Sequence, residues 1–128
     1  MVDIKFNVER DESCGPFGVK LTLQNNLDTP IKISRDSILL DGFTSNKFSI
    51  SDVETNYQRS YNGLEIKYIP KKEIINPSQF LESQCLDLSK AYHLKEGNKY
   101  SASYTAFSLI DIGESRESMV LQGEILLE

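Results

Sequence analysis

Few side chains in this sequence have the types and spacing that catalysis needs. The chain contains one histidine, His93, and two cysteines, Cys14 and Cys85. A histidine acts as a general base or a metal ligand when other polar groups converge on it, and a cysteine nucleophile needs a base nearby. His93 stands alone beside a turn, where a surface or half-buried side chain is the favoured interpretation. We therefore predict that the chain is not an enzyme and has no catalytic residue and no cofactor.

Metal binding has equally weak candidates. One histidine and two cysteines far apart in the sequence cannot assemble an ordinary zinc site. A calcium ion could be bound by Asp36 and Asp41, or by Asp111 and Glu114. A dedicated calcium loop places its oxygen ligands at closely spaced alternating positions, and neither pair has that spacing. Ordinary solvated carboxylates are favoured, and no metal site is predicted.

The two cysteines permit one disulfide and no more. Cys14 lies in the turn-like segment 12–16, whereas Cys85 lies inside a predicted strand. Because buried free thiols are common in soluble proteins, two free thiols are the expected state, with a bridge as the alternative.

The net charge of this 128-residue chain is −5. Such a surface repels phosphate backbones, so nucleic acid is not an expected partner. No run approaches the roughly 20 apolar residues that cross a bilayer, so membrane insertion is not expected either. Proteins, glycans and small ligands remain as classes of partner.

The sequence leaves two alternatives for the cellular compartment of the protein. Residues 1–6 alternate instead of forming an apolar run, so no signal peptide is recognised. The protein is either cytoplasmic or secreted, the second if a signal peptide has been removed.

Apolar residues alternate with polar ones along most of the chain, which is typical of half-buried strands. The predicted strands lie within residues 2–8, 17–23, 31–33 continuing through 38–40, 48–50, 64–68, 80–88, 100–107 and 119–127. Only residues 89–94 have helical character, enough for one turn. Eight or nine short strands without a long helix predict an all-β, immunoglobulin-like antiparallel β-sandwich, formed as a single domain by residues 1–128.

Several motifs in this order carry a resemblance. A strand, an Asn-containing turn and a second strand occupy residues 19–33, followed by segments 39–43 and 47–50. Later come Tyr-Asn-Gly at 61–63, Leu-Asp-Leu-Ser-Lys-Ala-Tyr at 86–92, and Gly97 followed by Tyr100 and Tyr104. This order resembles the β-sandwich domain on the amino-terminal side of deuterolysin-like zinc metallopeptidases, the aspzincins, and related single-domain proteins. The resemblance covers about residues 3 to 107.

The sequence departs from that family in two respects. Two residues separate Gly97 from Tyr100, where one is expected. The His-Glu-x-x-His helix, which binds zinc and activates water in such peptidases, is missing. The resemblance therefore implies a non-catalytic domain. Independently of the family, Tyr100 lies where immunoglobulin-like folds place a corner tyrosine, whose hydroxyl bonds to nearby backbone.

Two functions from different classes follow. The first is a protein-binding module, in its most concrete form a peptidase inhibitor or masking domain that docks on a metallopeptidase in trans, as the resemblance implies. The alternative is a structural or assembly protein that joins its own copies through sheet edges. Charged strand residues such as Glu82 and Lys67 would protect some edges against such pairing.

The candidate partner-binding residues lie in two predicted loops. Tyr57, Arg59 and Tyr61 are of the types that dominate protein interfaces, although both tyrosines could instead pack on the rim of the sandwich. Lys71 and Lys72 form a basic pair beside a proline, which could be a contact patch or simply a solvated loop.

Overall fold

The chain folds as a β-sandwich in a computed structural model that describes residues 3–63, 65 and 71–128. Two antiparallel sheets face each other, which confirms the predicted all-β sandwich. Nine strands are present in the described residues: β1 Ile4–Arg10, β2 Gly18–Asn25, β3 Ile31–Ser34, β4 Phe48–Asp52, β5 Lys72–Ile75, β6 Phe80–Glu82, β7 Leu86–Asp87, β8 Tyr100–Ile112 and β9 Ser115–Leu127. The strand expected within residues 64–68 lies outside the described residues, except for residue 65.

The first sheet, called sheet A, is built around β2. Strand β1 pairs with one side of β2 along its full length, from Ile4 opposite Asn25 to Arg10 opposite Val19. On the other side, β6 and β7 pair with the two ends of β2. The single strand predicted over residues 80–88 is therefore two short strands, because the chain leaves the sheet between them.

The second sheet, called sheet B, is built around β8. Strand β9 pairs with β8 over all 13 residues, joined by a tight hairpin at Gly113. On the opposite side, β4 pairs with the first five residues of β8 and β3 with the last three. Strand β5 extends the sheet beyond β3.

The core lies between the two sheets and is filled by alternate residues of the long strands, as the period of two predicts. Sheet A contributes Val19, Leu21 and Leu23, and sheet B contributes Ile33, Ile50, Tyr100, Ala102, Tyr104 and Ile110, all at most 1% exposed. The buried tyrosine hydroxyls have partners, as buried polar groups require: that of Tyr104 donates to the Ser37 carbonyl at 2.6 Å.

Cys14 and Cys85 form a disulfide, so the expectation of free thiols was wrong. Their Cα atoms are 5.9 Å apart and the sulfurs are bonded. The pairing of β7 with the start of β2 brings the segment before β7 against the 3₁₀ turn Glu12–Cys14. Gly18 lies beneath the bridge, where a β-carbon would stand 2.9 Å from both sulfurs. Spacing along the chain cannot reveal such a contact.

Helical structure among the described residues is limited to three 3₁₀ turns. One covers Leu88–Lys90 and overlaps the start of the helical turn predicted over residues 89–94. Asp87 caps it, because its carboxylate accepts a hydrogen bond from the Ser89 amide at 3.0 Å. A second, Arg35–Ile38, replaces the strand expected to continue through residues 38–40. Ser34 begins it by accepting the Asp36 amide, which is the local bonding that favours a turn over a strand.

The predicted tyrosine corner is present. Tyr100 is fully buried, and its hydroxyl accepts the backbone amide of Lys95 at 2.9 Å. The bond links the loop before β8 to the first residue of that strand, so it fixes the direction in which β8 enters sheet B.

Candidate binding surface

The segment with Tyr57, Arg59 and Tyr61 folds back along β4 instead of projecting as a free loop. The Asp52 amide donates to the Tyr57 carbonyl at 2.9 Å, and the Arg59 amide donates to the Ile50 carbonyl at 2.8 Å. A short hairpin results. Among the three candidate residues Tyr57 is the exposed one, with 67% of its surface in contact with water.

Arg59 is held by its own chain. Its guanidinium carbon lies 5.5 Å from the ring centre of Tyr57 and 5.7 Å from that of Tyr100, within the range of cation–π attraction. One of its nitrogens is 3.8 Å from the Asp52 carboxylate. Arg59 therefore braces the hairpin against the tyrosine corner.

Tyr61 packs on the rim of the sandwich, the alternative that the sequence left open for this residue. Its ring centre lies 5.3 Å from that of Tyr92, and the two residues form an isolated backbone bridge. Burial, followed by the nearby carboxylates of Glu65 and Asp36, raises the pKa of the Tyr61 hydroxyl. Of the three residues in this segment, Tyr57 offers the most exposed surface.

The basic pair lies elsewhere. Lys71 is exposed, and its carbonyl accepts the Arg35 amide at 2.9 Å. Lys72 is the first residue of β5, so the predicted loop is wrong at that position. Tyr57 is level with Tyr100 of β8, whereas Lys72 is level with the far end of that strand. At about 3.3 Å per residue, roughly 30 Å separates them, and the structure does not bring the two predicted clusters together.

Each carboxylate weighed as a calcium ligand, apart from Glu114, has a cationic neighbour. Asp36 lies 3.1 Å from the Lys47 ammonium, and Asp41 lies 3.0 Å from the Arg35 guanidinium. Asp111 lies between the Lys72 ammonium and the Arg116 guanidinium. Within residues 3–63, 65 and 71–128, no three His, Cys, Asp or Glu side chains group together as ligands for a metal ion.

His93 is exposed, and its Nε2 lies 3.3 Å from the side-chain amide nitrogen of Asn62. This contact joins two loops at one end of the sandwich. None of the helical segments in the described part of the chain has the length and apolar character needed to span a membrane.

The outward face of sheet B carries an exposed apolar patch that sequence reasoning missed. The patch consists of Phe107 and Leu109 on β8 and Val120 on β9, which are 84%, 55% and 42% exposed. Phe107 and Val120 are directly opposite each other across the two strands. Together with their neighbours they line a depression of about 220 Å³.

Charged residues border the patch towards the β8–β9 hairpin. Asp111 accepts from the Lys72 ammonium at 2.6 Å and from the Arg116 guanidinium at 2.8 Å. These two bonds, Lys72 first, lower the pKa of the Asp111 carboxyl to about 2. Asp111 and Arg116 also line a wider groove of about 760 Å³, together with Pro30 and Ile74. Lys72, the second lysine of the predicted basic pair, thus belongs to the rim of the patch.

The alternation of inward and outward residues along β8 indicates the patch from the sequence. Strand β8 places Tyr100, Ala102, Tyr104 and Ala106 on its inner face, so an apolar residue at position 107 or 109 is out of phase and must point outward. Phe107 ends the strand predicted over residues 100–107, so its place in the alternation already indicates an exposed ring.

Comparisons with known proteins do not assign the chain to a family. No known family model matches the chain, and no curated protein is significantly similar to it in sequence. The resemblance to the aspzincin β-sandwich domain remains a prediction.

Proposed function

We propose that this chain is a non-catalytic protein-binding module whose contact surface is the outward face of sheet B, centred on the patch of Phe107, Leu109 and Val120. The observation that carries the proposal is the 84% exposure of Phe107 in the middle of that face. Covering a large apolar side chain is favourable by about 1.5–3 kcal/mol. Single exposed apolar residues are ordinary, but three neighbours on one sheet face are typical of a contact site.

The surroundings of the patch favour a protein as the partner. Protein interfaces combine an apolar centre with a polar, hydrogen-bonding rim. Here the rim consists of the ion pairs at Asp111 on one side and of Thr105 and Gln122 on the other, which are opposite each other in the strand register. The face is also a rigid one, because β8 and β9 are paired along their full lengths.

The tyrosine segment supports the proposal less well than expected. Arg59 and Tyr61 make their contacts inside the chain, with Tyr100 and Tyr92, so a partner would have to displace those contacts first. A metallopeptidase as the partner follows only from the resemblance. In that form of the proposal, the domain would inhibit or mask the peptidase through the face of sheet B.

The proposal is tested with a photoreactive phenylalanine analogue at position 107. Phe80 is the matched control, because it is a phenylalanine of sheet A that is 60% exposed. Cross-linking to a protein is expected from position 107 and not from position 80. The captured protein is then purified and titrated against the wild type and Phe107→Ser, which should bind roughly tenfold or more weakly.

A purified deuterolysin-like peptidase is included as a defined candidate, with its activity measured against increasing concentrations of the domain. Dose-dependent slowing that is lost in Phe107→Ser would support the inhibitor form. Equal cross-linking from positions 107 and 80, or none from either, would overturn the assignment of the surface.

A further inference from the structure

We infer that the partner for this surface is a second copy of the same chain, packed face to face on the outward side of sheet B. The inference rests on the proposed function, since it names the occupant of the same surface. It is carried by the pattern of charges along β9, by the self-matching of Phe107 and Val120 at the centre of the patch and by the size of the face.

The outward residues of β9 are arranged symmetrically around Val120 with opposite charges. Arg116 lies four residues before Val120 and Glu124 four residues after it, and all three side chains are exposed. A two-fold axis across the strands at the level of Val120 would reverse the strand direction of the second copy. Arg116 of each copy then faces Glu124 of the other, so both contacts join unlike charges. Such self-complementarity is what a two-fold interface requires.

The residues between these charges match in the same arrangement. Val120 faces Val120 of the second copy, and Ser118 faces Gln122, a pair that can form hydrogen bonds. Phe107 lies opposite Val120 in the strand register, so it meets Phe107 of the other copy. The most exposed side chain of the patch is therefore covered by its own counterpart, and aromatic pairs of this kind contribute beyond the area that they bury.

The face is large enough for a specific dimer. Strands β8 and β9 have 13 residues each, which corresponds to about 43 Å at ~3.3 Å per residue. The face is two strands wide at Phe107, where β8 pairs with β9, and three to four strands wide towards its ends, where β4 or β3 and β5 are added. At ~4.8 Å per strand the average width is about 14 Å. The product is roughly 600 Å² per copy, at the lower end of the range for a specific interface.

The geometry points to the face rather than to the free edge of β9, although pairing at that edge could also bring Arg116 to Glu124. Strand β1 runs beside this edge. The Arg10 guanidinium donates to the Leu126 carbonyl at 3.5 Å, and a β-carbon at Gly123 would be only 3.0 Å from the side chain of Val8. A strand added along the whole edge would have to displace β1, whereas a partner on the face displaces no strand.

The inference is tested by sedimentation of the purified chain at micromolar to millimolar concentrations. The wild type should associate to a dimer. Glu124→Arg and Arg116→Glu should each weaken association roughly tenfold or more, because each creates two like-charge contacts. An equimolar mixture of the two variants should associate nearly as well as the wild type, because both contacts of the mixed dimer join unlike charges.

Matched controls separate the face from general surface effects. Phe107→Ser should abolish the dimer, whereas Phe80→Ser and Glu9→Arg, both on the outward side of sheet A, should leave it unchanged. Because Arg116 also pairs with Asp111 at 2.8 Å, the folding of Arg116→Glu is checked by thermal unfolding. Ser118→Asp mixed with Gln122→Lys provides a second pair, which should associate more tightly together than either does alone.

A wild type that stays monomeric up to millimolar concentration would overturn the second copy as the partner. In that case, cross-linking from position 107 to a different protein would still support the proposed function. A dimer that persists in Phe107→Ser, or variants that fail to complement each other, would overturn the face-to-face arrangement.

Discussion

The two outward faces of the sandwich differ sharply although both belong to strands with the same alternation. On sheet A the outward residues are polar or charged apart from Phe80, and they neutralise each other, as with the Lys20 ammonium 3.6 Å from the Glu82 carboxylate. On sheet B an apolar patch occupies the middle of the face and its charges stand at the rim. The first face is suited to water, and the second is suited to a partner.

The two sheets are also fixed by different chemistry. Sheet A is tied by the Cys14–Cys85 disulfide, which joins the segments that flank its central strand. Sheet B is fixed by the hydroxyls of buried tyrosines that bond to backbone groups, Tyr100 to Lys95 and Tyr104 to Ser37. Stability and binding are therefore expected to respond to different substitutions. Four measurements test this difference between the sheets.

The largest loss of stability is expected from removing the disulfide of sheet A. The double variant Cys14→Ser with Cys85→Ser opens a loop of 71 residues, and the chain-entropy relation gives a loss of about 4 kcal/mol in the free energy of unfolding. Urea unfolding with and without reductant measures it. The reductant should lower the midpoint of the wild type and leave the double variant unchanged. Equal midpoints for the wild type under both conditions would contradict the bridge.

The second-largest effect is expected at high pH, where deprotonation of buried tyrosines should lower the free energy of unfolding. Burial raises the pKa of Tyr92 to about 12 and raises that of Tyr104 further, whereas an unfolded tyrosine titrates near ~10. The contribution of these two hydroxyls to the free energy of unfolding is intact below pH ~10. From there to pH ~12 the unfolded chain releases protons that the folded chain retains, so stability falls by about 1.4 kcal/mol per pH unit for each tyrosine.

Urea unfolding between pH 9 and pH 11.5 checks this expectation. Tyr92→Phe and Tyr104→Phe should each show a shallower decline than the wild type over this range, whatever their stability at neutral pH. Parallel curves for the wild type and both variants would mean that these hydroxyls do not couple to folding.

A smaller effect is expected at the tyrosine corner. Tyr100→Phe removes the acceptor of the Lys95 amide and should cost about 1 kcal/mol, the usual net value of one hydrogen bond. Tyr57→Phe is the matched control, because Tyr57 is 67% exposed and should tolerate the change. If both variants have the midpoint of the wild type, the corner bond does not contribute to stability.

The smallest effect on stability is expected at the patch itself. Phe107→Ser and Phe80→Ser should each change the free energy of unfolding by no more than about 0.5 kcal/mol, because neither ring is packed in the core. Only Phe107→Ser should remove binding. A large destabilisation by Phe107→Ser would show that the ring supports the fold, and the contrast between the two faces would then disappear.

The sequence alone predicted those elements that depend on a local period. The long strands β1, β2 and β8 were recognised because polar and apolar side chains alternate along them, and the sandwich followed from many short strands without a long helix. Tyr100 was recognised as the corner residue because its position at the start of a late strand is itself a local feature.

Other elements depended on partners far away in the chain. Residues 38–40, Ile-Leu-Leu, have enough apolar character to suggest a strand. The Ser34 hydroxyl and the packing of Ile38 in the core instead favour a 3₁₀ turn over Arg35–Ile38. Of the candidate surface on sheet B, only Lys72 at its rim was named from the sequence. In the predicted tyrosine segment, Tyr57 is exposed, whereas Arg59 is held against Tyr100, a residue 41 positions later.

Which residues share a face follows from the sequence, because alternation in a strand is set by backbone geometry. Which faces are covered depends on how the strands assemble in three dimensions. The tertiary structure brought Cys14 to Cys85, placed Lys72 beside Asp111, and left Phe107 in water on the outward side of sheet B. The physical reason is that burial and ion pairing depend on which strands become neighbours, and in a sandwich most of those neighbours are distant in sequence.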